Sequence, residues 1–267
     1  MTSKPKLKKS VFYICLAVFV LVLVYIVSMQ LNSQNRQQAS LKLAEEVRIE
    51  PPIQEYAPEE IPLEEEVEED IPELTVEIPI DFIALQEINP DIHAWIYIPG
   101  SPIDYPILQS VDDQEFYLDH NIYRQACVAG AIFTQDFNGL NFEDVHTIIY
   151  GHNMADGSKF SALHQYLDAS FMDEHDIIYI YTPQNILRYQ VVYAVTYDNR
   201  HILMSFDFTE DDEYELFIYS LRNAPNVNNQ WNPNVNWRVG EPFITLSTCT
   251  DDTFLRLLIG AILIEKL

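Results

Sequence analysis

The chain has 267 residues and carries 41 acidic against 15 basic side chains, a formal charge of −26. Such a surface repels phosphates, which argues against nucleic acid as a partner. Three cysteines, Cys15, Cys127 and Cys249, are too few and too dispersed for a disulfide framework or for a zinc site with paired ligands.

Lys4, Lys6, Lys8 and Lys9 precede Val11 to Met29, nineteen residues without a charge. At the rise of an α-helix this run spans roughly 28 Å, close to a bilayer core. It is predicted to be a transmembrane anchor, with residues 1–10 as a basic cytoplasmic tail and everything after Met29 outside the cell, single-pass, by the positive-inside rule. A cleaved signal peptide fits less well, because the run exceeds a typical apolar region and Gln30 to Gln38 offers no small-residue cleavage site. Cys15 lies within the span as a small apolar residue.

Residues 30–78 read as an extracellular acidic stalk. Its first part, to about Arg48, is polar and can continue as a helix. Beyond it Pro51, Pro52, Pro58, Pro62 and Pro72 alternate with Glu59-Glu60, Glu64-Glu65-Glu66 and Glu68-Glu69-Asp70. Prolines and like charges keep such a segment extended, and it has too little apolar surface to offset the entropy of ordering.

The globular part is predicted over 79–267. A short helix at Asp81 to Glu87 stops before Asn89-Pro90, since a residue preceding proline avoids the α region. Eight runs rich in Ile, Val, Tyr and Phe then read as strands: 94–98, 103–109, 131–133, 147–150, 177–181, 187–197, 243–248 and 255–264. About eight short strands point to a barrel or a sandwich. Helices are predicted at Lys159 to Leu167, with Ser158 as its cap, and at Thr209 to Arg222, behind a Thr-x-x-Asp start. The second is expected to cover one side of the sheet. Asn223 to Gly240, rich in Asn and holding Trp231 and Trp237, reads as a long loop.

Cys249 ends one strand and Arg256 opens the next. A cysteine acts as a nucleophile when it has a proton-transfer partner and a donor for the developing oxyanion. His152 is the candidate partner, because it follows the apolar run Thr147 to Tyr150 at a strand end where Gly151 permits a sharp exit. Arg256 is the candidate donor. Leu246, Ser247 and Thr248, on the strand leading to the thiol, are candidate substrate contacts. Two features compete with this reading. Asp251 and Asp252 place carboxylates beside the sulfur, either as a solvated turn or as a means of orienting His152, and Cys127 is a second external thiol whose pairing with Cys249 in a structural disulfide is the competing reading.

Thr245-Leu246-Ser247-Thr248-Cys249 with Arg256, and Tyr150-Gly151-His152-Asn153-Met154 with Asp156-Gly157-Ser158, resemble the active-site motifs of sortases, class B above all. Trp95 to Gly100, Ile103 to Gln109 and Phe116 to His120 are similar to sortase positions too, so the likeness runs from about Pro79 to the C-terminus. The resemblance implies a mostly β fold, an eight-stranded barrel with short helices behind one transmembrane helix. It implies a Gram-positive, membrane-anchored cysteine transpeptidase without metal or organic cofactor. Cys249 would attack the Thr-Gly or Thr-Asn bond of a C-terminal sorting signal in secreted proteins and form a thioacyl-enzyme, which an amine of a cell-wall peptidoglycan precursor resolves. His152 would move the protons and Arg256 would steady the oxyanion. The segment from Cys249 to Arg256 is short for class B. Alternatives are a pilin-polymerising enzyme with a lysine acceptor, and a catalytically silent β-barrel adhesion or receptor ectodomain.

Overall fold

The structure, a computed structural model, describes residues 5–49 and 77–267; Lys4 and the Pro/Glu-rich part of the predicted stalk lie outside the described residues. The chain divides into two compact units, one ending at Leu43 and the other spanning Ala44–Leu267. Helix α1, Pro5–Val47, runs through the first and ends in the second. Within it Val11–Ser28 is long and apolar enough to cross a membrane, and its side chains are exposed on all faces. A helix apolar all round has the composition of a lipid-facing span.

The second unit is built on nine strands: β1 Ile92–Tyr97, β2 Asp104–Leu108, β3 Ile132–Phe133, β4 His146–Tyr150, β5 Ile177–Tyr181, β6 Ile186–Asp198, β7 Gln230–Trp231, β8 Phe243–Cys249 and β9 Leu255–Lys266. Hydrogen bonding orders them β5-β1-β2-β3-β4-β8-β9-β6, and a β5–β6 pairing closes the circle into an eight-stranded barrel. The eight predicted strands are these. The ninth, β7, is a two-residue strand on the far half of β6, within the segment predicted as loop; two residues are too few to show an alternating pattern.

Alternation along the strands sorts their side chains between two cores. Ile244 and Leu246 of β8, Leu257, Ile259 and Ala261 of β9 and Ile149 of β4 belong to the barrel interior, together with residues of every other strand of the closed circle. Their neighbours Phe243, Leu258, Ile262 and Ile148 face outward, where Tyr214, Phe217 and Leu221 of the helix at Asp211–Arg222 pack over them. That helix covers one side of the sheet, as its apolar spacing predicts. On the same outer face Gly260 has no side chain because Tyr193 lies against it: a Cβ there would sit 2.0 Å from the ring.

The helices differ from expectation at their starts. Ser158 caps nothing; its hydroxyl donates to Asp156 Oδ1 at 2.5 Å, and Ser161–Leu167 is a 3₁₀ turn, followed by an α-helix at Ala169–Glu174 that Asp168 caps. Thr209 likewise donates to Asp207 Oδ1, at 2.6 Å, and its helix starts later, with Asp211, Asp212 and Glu213 in the first turn. In both cases a nearby aspartate captures the hydroxyl before it can serve the helix. The acidic first turn stabilises the second helix against its own dipole instead.

Candidate functional site

The register of three adjacent strands brings the predicted residues together. β8 and β9 are antiparallel with Cys249 directly opposite Arg256. β4 and β8 are parallel with Tyr150 opposite Ser247, and the Gly151 N–H continues that ladder to the Ser247 carbonyl at 3.1 Å. Counting two positions beyond each of that pair sets His152 beside Cys249. Parity then fixes the face: Phe243, Thr245, Ser247 and Cys249 alternate outward, as do Leu258 and Arg256. Three side chains from three strand ends meet outside the barrel.

They line one cleft of about 230 Å³, with Ser247 and Thr248, with Glu115, Leu118 and Gln135 from the segments before and after β3, and with residues 198–202 at the end of β6 and just beyond it. Leu246 does not. It is fully buried in the barrel interior, so the predicted substrate contact at Leu246 is corrected: alternation turns it away from the face that carries Cys249. Ser247 faces the cleft, and Thr248 lines it with a buried hydroxyl that has no hydrogen-bond partner.

Gly151 earns its place by close packing. Its φ is not in the left-handed range, but a Cβ would lie 2.5 Å from Ile132 Cδ1 and 2.6 Å from Phe160 Cδ2. The chain passes between two core side chains as it leaves β4, which leaves His152 at the surface. There Nε2 donates to the Leu118 carbonyl at 2.6 Å. A carbonyl only accepts, so this bond assigns the proton to Nε2 and makes Nδ1 the acceptor nitrogen of the neutral ring.

Arg256 folds back on the turn between β8 and β9, where Nη1 donates to the carbonyls of Thr253 and Leu255 at 3.2 and 3.0 Å. Those bonds anchor one end of a planar group that has five donors in all. Asp251 and Asp252 are exposed on the same turn, and the Asp252 carboxylate accepts the Phe254 N–H at 2.8 Å. His152 takes its orientation from Leu118. Cys127 and Cys249 are both free thiols, so no bridge occupies the sulfur.

Across the cleft, Arg200 makes a paired contact with Asp198, and its hydrogen bonds hold that carboxyl below the usual carboxylate range. His201 donates from Nε2 to Gln135 Oε1 at 2.8 Å, and burial lowers its affinity for a second proton. These cleft residues had no sequence signal. They come from loops distant in the chain, and only the closing of the barrel makes them neighbours.

The Sortase domain family matches residues 96–263. The chain is 37% identical over 169 residues to sortase B of Listeria monocytogenes, covering 62% of this chain and 65% of that protein. It is 32% identical over 170 residues to sortase B of Staphylococcus aureus, covering 64% of this chain and 68% of that one. The match therefore spans about two thirds of each relative's length. Among solved structures, a Staphylococcus aureus sortase B–substrate complex superimposes with a TM-score of 0.61 at 31% identity, over 69% of this chain and 84% of that one. With a closed eight-stranded barrel, a cysteine, histidine and arginine converging on one cleft, and a family match across most of that barrel, the chain belongs to the sortase family.

Proposed function

We propose that this protein is a membrane-anchored cysteine transpeptidase of the class B type, acting on secreted proteins that carry a C-terminal sorting signal. The observation that carries the reading is the meeting of His152, Cys249 and Arg256 at the ends of β4, β8 and β9, on one face and in one cleft.

The Cys249 thiolate attacks the carbonyl carbon of the threonine in a Thr-Gly or Thr-Asn bond. The electron pair of that carbonyl moves onto oxygen, which Arg256 stabilises by hydrogen bonding. Collapse expels the peptide amine, and His152 in its imidazolium form gives it a proton from Nδ1. The ring is left as the neutral Nε2–H tautomer, the one the Leu118 carbonyl already holds. An incoming primary amine then loses a proton to Nδ1 as it attacks the thioester, and Cys249 leaves as thiolate. Atoms, charge and histidine return to their starting state.

The helix at Val11–Ser28 supports an anchor, with its lysine-flanked end in the cytoplasm, residues 30–78 as spacer and 79–267 as the catalytic domain outside. The acceptor in this reading is an amine of a peptidoglycan precursor. Mass spectrometry of products from a small library of sorting peptides, each offered with triglycine, a lysine peptide and no amine, tests donor and acceptor together. Cleavage after threonine with an amine joined to the new carboxyl end is the expected result. A lysine-only product would make the acceptor a pilin-type side chain. Peptide binding without cleavage, unchanged in C249A, would make the barrel a binding module and overturn the proposal.

A further inference from the structure

We infer that His164 is a positioning residue for the nucleophile, holding the main chain of Cys249 where the sheet itself ceases to do so. The inference rests on Cys249 being the attacking group, as proposed above.

In a parallel ladder the donors of one strand recur at every second residue. The last β4 rung is Gly151 N–H to Ser247 carbonyl at 3.1 Å, so the next carbonyl facing β4 is that of Cys249, and its ladder donor would be the N–H of Asn153. Among the described residues that backbone bond is not made. After Gly151 the chain turns away, with the His152 carbonyl accepting from the Phe160 N–H at 3.0 Å and Asn153 bridging to Lys159. The turn is what frees the His152 side chain for the cleft, and it deprives Cys249 of its rung.

His164 Nε2 fills the gap, 3.1 Å from the Cys249 carbonyl. It can serve because the 3₁₀ turn that carries it is fixed in place. Leu163 and Tyr166 on either side are fully buried, and the Ser161 hydroxyl bonds the carbonyls of Met154 and Ser158. The imidazole is thus a side-chain rung, tying the nucleophile's peptide to the segment that also turns His152. His164 is absent from the cleft lining, so it acts through Cys249 and not on substrate.

The test uses the full chain in detergent and the variants H164F, which keeps a flat ring without a donor, and H164Q, which restores an N–H. Steady-state kinetics with the best peptide and amine are read beside the rate at which iodoacetamide modifies Cys249, followed by mass spectrometry of its peptide, and beside Tm. H164F is expected to lower kcat roughly tenfold or more, with KM within about twofold and slower Cys249 alkylation, while H164Q recovers most of both rates. Wild-type kcat in H164F, or H164Q no better than H164F at similar Tm, overturns the inference. Should the wild-type protein turn over no peptide, altered alkylation in H164F that H164Q rescues would leave the positioning role standing while the catalytic reading fell; equal alkylation in all three would remove the positioning role as well.

Discussion

Cys249 and Arg256 are opposite one another on neighbouring strands, and the register that pairs them also puts His152 alongside. In the role proposed above Arg256 is the oxyanion donor, and losing one costs roughly 10²–10³ in kcat. R256A is therefore expected to fall by about that factor, and R256K to recover only part, since an ammonium lacks the planar fork; peptide turnover with KM and kcat separated checks both. With His152 as the proposed general acid and base, H152A is expected to lose roughly 10²–10⁴ in the same assay. The residue types of this trio were legible because each stands at the end of an apolar run. Leu246 was misplaced because proximity in sequence to Cys249 was counted ahead of strand parity, which sends adjacent residues to opposite faces. The hydrogen bonds of His152 and His164 were invisible in the sequence, since both bonds run to main-chain carbonyls of residues remote in the chain.

At the level of elements, the exit from β4 is the critical joint. Adding one methyl at Gly151 presses on Ile132 and Phe160, both buried in the barrel interior. Overpacking of this kind costs about 1–3 kcal/mol, so G151A is expected to lower Tm by several degrees and to reduce kcat together with it, as the histidine segment shifts. A G151A protein as stable and as active as wild type would show that the joint has slack. Strands were easy to read here because closed-barrel positions demand runs of β-branched and aromatic residues. Helix starts were harder. Ser158 and Thr209 stand where caps belong, yet an aspartate two residues before each, Asp156 and Asp207, captures the hydroxyl.

Across the whole molecule, buried histidines link the fold to pH. His93 donates from Nδ1 to the Leu140 carbonyl and pairs at Nε2 with the Thr134 hydroxyl, both at 3.0 Å. Burial pushes its pKa down to about 4, and burial holds His146, stacked on Phe243, well below the ordinary histidine value. In the unfolded chain histidines take up a proton below about pH 6.5. The unfolded state therefore binds more protons between about pH 6.5 and 4, and stability drops as pH falls through that window, by roughly 3 kcal/mol from His93 alone. Tm measured at pH 7 and pH 4.5 is expected to fall further in wild type than in H93Q; an equal fall would mean that His93 is not neutral in the fold. A barrel with this interior is a rigid frame for the proposed nucleophile, Cys249. The most direct measurement is the intact mass of the protein mixed with a sorting peptide in the absence of amine, followed by peptide mapping and hydroxylamine release. The expected result is an acyl adduct on Cys249, discharged by hydroxylamine and missing from C249A; an adduct on another residue, or cleavage that persists in C249A, would contradict it.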